Sequence, residues 1–121
     1  MKFREFVLST GRKIFGGRSA ESNDELVGLA GMNDVMLHTS APGSPFVNVG
    51  ERPTKKEIKE AAVFCAKYSQ DWRDGKKDVV VNKFLRRDMR KGLFAKAGSW
   101  NVKKQEKMVV KAVDVLGFGN N

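Results

Sequence analysis

The chain has one cysteine and one histidine in 121 residues. Cys65 has no second thiol in the chain to pair with, a usage that fits the reducing cytosol. One imidazole and one thiol fall short of the ligand set of a zinc site. Long apolar runs are missing too: none approaches the ~20 residues that cross a bilayer. The opening "MKFREFVLST" mixes charges among its apolar residues where a signal peptide needs a continuous apolar segment. There is no internal repeat, no low-complexity segment and no "GxxxxGK[ST]" phosphate loop. These absences lead us to expect a cytoplasmic protein with no cofactor and no metal.

What the chain has is positive charge, unevenly placed. The net charge is +9. Residues 1–66 carry nine Lys/Arg against eight Asp/Glu, whereas residues 67–111 carry fourteen against five. Solubility does not require charge of one sign. An asymmetric basic surface points to a polyanion, either nucleic acid or an acidic membrane surface. With 40% apolar and 31% charged residues, the chain has the composition and length of one globular domain that buries a core without disulfides or metals.

The pattern predicts an α+β fold, a largely antiparallel sheet with two helices, in a single domain over 1–116 followed by a flexible tail over 117–121. "KFREFVLST" and "RKIFGG" read as a β-hairpin through Gly11. Ser22 and Glu25 have capping-box spacing, which predicts a short helix from Ser22 to about Ala30, ended by Gly31. "DVMLHT" and "FVNVG" read as strands around the turn "APGSP", where Pro42-Gly43 suits the centre of a type II turn. Thr54 and Glu57 form a second capping box, and the helix they open should reach about Trp72. Its apolar face carries Ile58, Ala61, Ala62 and Cys65, continuing to Tyr68, Ser69 and Trp72. Lys55, Lys56, Lys59 and Lys67 fall on the other side. "DVVVNKFL" reads as a strand and "RRDMRKGLFAKAG" as a basic loop. "SWNV" and "KMVVKAVDVL" read as the last two strands.

Three stretches carry possible chemistry. His38 lies on a strand six residues before Ser44, with Asp34 four residues behind it. Nothing in that spacing demands a catalytic triad, and a strand histidine usually serves as a hydrogen-bonded structural residue. In "FGGRSAESND" a glycine pair precedes a helix, a junction where backbone N–H groups and Arg18 can take a phosphate. On these residues alone a plain turn before a capped helix is the favoured reading there. In residues 81–100 Lys83, Arg86, Arg87 and Arg90 are joined by Lys91 and Lys96, and Phe84, Phe94 and Trp100 lie between them. Arginine forks bind phosphates and aromatic rings stack on unpaired bases, so this stretch reads as a nucleic-acid surface with Phe84 in the core. Cys65, on the apolar helix face, reads as an inert packed thiol.

"KFREFVLSTG", "GGRSAESNDELV", "NDVMLHTSAPGSPFV" and "KEAAVFCAKYSQDWR", in this order and spacing, resemble the successive blocks of the NFACT-R domain, over about residues 2–104. Gly17, Arg18, Asn23, Asp24 and Leu26 match its G-R and N-D-x-L pattern. Asp34 and His38 match D-x-x-x-H, and Pro42, Gly43, Ser44 and Val47 match most of P-G-S-H-V. Three features depart from the pattern: Pro45 stands where histidine is usual, Met36 where an aromatic is frequent, and "RRDMRKGLFAKAG" replaces a K-P-x-G stretch. The resemblance implies the RNA-binding module of the large ribosome-quality-control factors that act on stalled large subunits and bind tRNA. No hydrolytic activity goes with that module, and the other domains of those factors are not in this sequence, which reads as a stand-alone module. The expectation is therefore an RNA-binding, non-catalytic protein whose partner is tRNA, rRNA or the ribosome. Its contacts would be Arg18, His38, the Lys55 and Lys59 face and the 83–96 loop. The rivals are a DNA-binding protein, a small RNA-processing hydrolase using His38, and an adaptor docking on an acidic partner.

Overall fold

The computed structural model describes residues 2–119. Its main element is a six-stranded antiparallel sheet in the order β1-β2-β4-β3-β5-β8. The strands are β1 (Phe3–Val7), β2 (Lys13–Gly17), β3 (Asp34–Thr39), β4 (Val47–Glu51), β5 (Val79–Leu85) and β8 (Glu106–Val110). A second, two-stranded ribbon pairs β6 (Met89–Arg90) with β7 (Asn101–Val102). The expected hairpin closes through Gly11 at φ 92°, with the Leu8 and Gly11 amides bonded across the turn.

Strand alternation buries both faces of the sheet. One face presents Ile14, Leu37, Val47, Val49, Val79 and Val81 to helix α2 (Lys55–Lys67), which answers with Ala61, Ala62, Phe64 and Cys65. The other presents Met36, Phe46 and Phe84 to helix α1 (Ala20–Leu29), whose Leu26 and Val27 join Met89 and Trp100 in a second core. The chain is thus α+β with one antiparallel sheet between two unlike covers.

Three boundaries differ from the sequence reading. Helix α1 starts three residues earlier, with Ser19 as N-cap and Ser22 as the third helical residue. Ser22 takes the role usually given to Glu or Gln: its hydroxyl accepts from the Ser19 amide at 2.9 Å while Ser19 Oγ accepts from the Ser22 amide. Glu25 pairs with Lys2 instead. The Thr54–Glu57 capping box forms as expected, but α2 stops at Lys67. Ser69 donates to the Ala66 carbonyl and accepts from the Trp72 amide, which ends one helix and caps another, α3 (Gln70–Gly75). The last strand ends at Val110 because Asp78 accepts from the Ala112 amide and pairs with Lys111, turning the chain into α4 (Ala112–Leu116). Phe118, within the stretch expected as a tail, has its ring against Phe6, Phe64 and Tyr68. Residues 120 and 121 lie outside the described residues.

Candidate nucleic-acid interface

The site begins with a glycine that has no room for a side chain. A Cβ on Gly17 would lie 1.8 Å from Asn23 Oδ1. That proximity lets Asn23, buried in the first turns of α1, reach across to the 40–46 turn. Its Oδ1 accepts from the Phe46 amide at 3.0 Å and its Nδ2 donates to the Ser44 carbonyl at 3.3 Å. From the other side Asp71 of α3 accepts from the hydroxyls of Thr39 and Ser44 and from the Ala41 amide. Gly43 takes the positive φ, 85°, that the expected Pro-Gly turn requires. The Pro42-Gly43-Ser44 turn is therefore clamped between two helices.

His38 belongs to the same construction. Its ring stacks on Phe46 at 4.1 Å between centroids, and Nε2 meets the Ser44 carbonyl at 3.3 Å. Burial lowers its pKa, partly offset by the Ser44 carbonyl and the Asp71 charge, so the imidazole is neutral near pH 7. The Ser44 hydroxyl is engaged with Asp71 and the Gln70 amide, not with the imidazole. Asp34 sits at the far end of β3, bonded to the Gly31 amide and Asn48. The three side chains do not form a relay. Cys65 is buried under the Pro45 carbonyl, and burial pushes its thiol pKa far up, which makes it inert.

Asp24 organises the basic segment. Its Oδ1 accepts from Lys91 Nζ, the Gly98 amide and Trp100 Nε1 at 2.8–3.0 Å. Desolvation pushes its carboxyl pKa up, but these hydrogen bonds and the Lys91 charge outweigh it and hold the pKa below its ordinary value. Lys91 also donates to the Lys96 and Ser99 carbonyls. Arg86 donates to the Val27 carbonyl at 2.8 Å and lies over the Trp100 ring, and Arg87 donates to Asn33. Lys83 pairs with Glu106. Arg86 and Lys91 are thus fastened into the protein, whereas Arg90 and Lys96 stay exposed. Between those two, Leu93 and Phe94 are 90% and 94% exposed, the most exposed large apolar residues described.

The β2–α1 junction, the Pro42-Gly43-Ser44 turn and the 92–105 segment enclose a cleft of about 830 Å³. It gathers Gly17, Arg18, Asn23, His38, Pro42, Gly43 and Ser44, which the sequence had singled out in separate stretches. It also takes Arg4 from β1, Arg73 from α3 and Asn82 from β5, none of which sequence reading marked. Among the described residues, no Asp or Glu lines it. The pattern gave Arg4 and Arg73 no distinction from other surface arginines, since only the turn of α3 brings Arg73 to the cleft. Lys55, Lys56 and Lys59 are exposed on α2, which covers the opposite face of the sheet, and the cleft does not include them.

The comparisons with known proteins fit this geometry. The backbone superposes on the C-terminal part of the fibronectin/fibrinogen-binding protein from Streptococcus suis with a TM-score of 0.82 at 20% identity. The match covers 92% of this chain and 45% of that one, so the chain spans less than half of its structural neighbour. No curated protein matches the sequence. The family model described as the NFACT protein RNA binding domain matches residues 2–104, a stretch that holds the basic loop and every residue lining the cleft except Gln105. The chain therefore belongs to the NFACT RNA-binding domain family.

Proposed function

We propose that the domain binds tRNA or rRNA of the cytoplasmic translation machinery, in ribosome quality control, without chemistry of its own. The RNA would lie on one continuous surface, the cleft and the adjoining 90–96 loop. The observation that carries this reading is a cleft lined by three guanidiniums, those of Arg4, Arg18 and Arg73, and, among the described residues, by no Asp or Glu. Such a site concentrates positive potential where a phosphate backbone can enter. In the adjoining loop the exposed Arg90 and Lys96 stand on either side of the bare Phe94 in the sequence, a combination of charge and aromatic that suits unstacked RNA. The clamped turn and the buried side of His38 support the surface rather than react on it.

The test is salt dependence. Neutralising roughly 4–6 phosphates gives a slope of log K against log salt of about −3 to −5. A slope near zero removes the nucleic-acid reading. RNA–DNA competition distinguishes the polymers, and crosslinking in cells followed by sequencing identifies the RNA. The hydrolase alternative has its own check: pure protein should leave RNA intact over hours near pH 6–7, and cleavage that disappears in His38→Ala would establish it.

A further inference from the structure

Asn82 is 8% exposed, and its side chain has no hydrogen-bond partner among the described residues; its carbonyl oxygen is fully buried. A buried amide without partners is costly, and native proteins rarely keep one without a use for it. Asn82 lines the cleft and stands directly opposite His38 in the β3–β5 register. The neutral His38 ring directs Nε2–H to the Ser44 carbonyl, which leaves Nδ1 as an acceptor. Two residues that line the cleft and face each other in the sheet thus each hold an acceptor without a partner among the described residues: an imidazole nitrogen of His38, and the buried amide oxygen of Asn82. Asparagine χ2 is a soft torsion, so an incoming donor can draw the carbonyl outward at little cost.

The rim is suited to phosphate. Among the described residues Arg73 donates only to neutral acceptors, the Tyr68 and Gly43 carbonyls and Gln70 Oε1, and forms no salt bridge. These bonds hold its guanidinium at the rim. Arg18 lines the same opening next to the first turn of α1. The volume of about 830 Å³ lies in the range of small-ligand sites. A base stacked inside a duplex cannot descend to the floor of such a cleft, whereas a splayed one can.

We infer that the cleft holds a single unpaired nucleotide whose base carries an exocyclic amine, with Asn82 and His38 accepting from that amine and Arg18 and Arg73 holding the phosphate. This rests on the RNA-binding reading and sharpens it. Adenine, cytosine and guanine offer an amino group with two hydrogens. Uracil offers only its ring N3–H, flanked by carbonyl oxygens, so a like pole meets at least one of the two acceptors.

The test uses the full 121-residue chain and fluorescence anisotropy at one fixed salt concentration. The probes are hexamers of adenylate, cytidylate and uridylate, and a blunt RNA duplex. Adenylate and cytidylate should bind at least about fivefold more tightly than uridylate, the factor that one net hydrogen bond supplies. Asn82→Leu should bring adenylate down to the uridylate affinity and raise the melting temperature, because an unsatisfied amide gives way to an apolar group. Asn82→Ala, a smaller change, should erase the same preference and serves if the leucine does not fit. Equal binding of uridylate by the wild type, or a preference that survives in either folded variant, overturns the inference. Binding of the duplex without the single strands also overturns it while the RNA-binding reading stands. Failure to bind any of the four RNAs overturns both.

Discussion

Asn23 shows how much one side chain decides here. Its two hydrogen bonds join helix α1 to the turn beyond β3, and they exist because residue 17 has no Cβ. Gly17→Ala forces a carbon into the space of Asn23 Oδ1 and Cγ and against its backbone. Overpacking and the loss of both bonds should lower stability by roughly 2–4 kcal/mol, read as a lower denaturant midpoint. Glu57 gives a pH-dependent counterpart. The Thr10 hydroxyl, the Thr54 amide and the Arg12 guanidinium hold its carboxyl at about 2, below an ordinary 4.5. A depressed folded-state pKa means that the folded chain prefers the carboxylate. The contribution is complete above pH 4.5 and disappears as pH falls toward 2. Urea midpoints measured across that window should fall for the wild type and fall less steeply for Glu57→Gln. An identical acid limb in both proteins would show that Glu57 does not couple to folding.

At the scale of elements, Asp24 makes the basic segment a rigid arm. Three donors 67 to 76 residues away converge on one oxygen. Asp24→Ala leaves Lys91 without its countercharge and frees the Gly98 amide and the Trp100 indole. Stability should drop by roughly 1–3 kcal/mol, and hydrogen exchange at Gly98 and Trp100 should accelerate far more than exchange in α2. Uniform acceleration throughout would mean that the arm is not a separate unit. This convergence is what the sequence could not display, since it joins Asp24 to residues far along the chain. The strands and the α2 start were legible because alternation and the Thr54–Glu57 box are local signals. The errors arose where two local signals competed. Ser19 and Ser22 both suit a cap, and the pair that also satisfies the Arg18 and Ser19 amides wins. The apolar face of α2 continues in phase to Trp72, but Ser69 bonds the backbone and breaks the helix. For the site, the motif residues were visible in the sequence and their assembly around a cleft was not. Asn82 looks like any polar residue on a strand until the absence of a partner is seen.

At the scale of the whole molecule, charge is a matter of position more than amount. Residues 67–111 carry nearly all the excess, yet Arg4 and Arg18 reach the cleft from the near-neutral half, and Arg86 serves as a strut to Val27. Reversing Arg86 would therefore damage the fold and say little about RNA. The informative comparison is Arg90→Glu with Lys96→Glu against Lys55→Glu with Lys59→Glu. Each pair changes the net charge by the same amount, so steering by net charge alone predicts equal losses. All four side chains are exposed, and surface charges rarely carry stability. Glutamates at the start of α2 even suit its dipole. At about 0.1 M salt the Debye length is ~10 Å, so a charge acts mainly on the phosphates near it. The loop pair stands on either side of Phe94 in the sequence, in the loop adjoining the cleft, and its reversal should weaken RNA binding by more than about tenfold, ~1.4 kcal/mol. The lysine pair lies on the helix covering the other face of the sheet, and its reversal should cost less than about threefold. Equal losses would mean that the protein attracts RNA by total charge without a defined surface, and a larger loss from the lysines would place the RNA on α2.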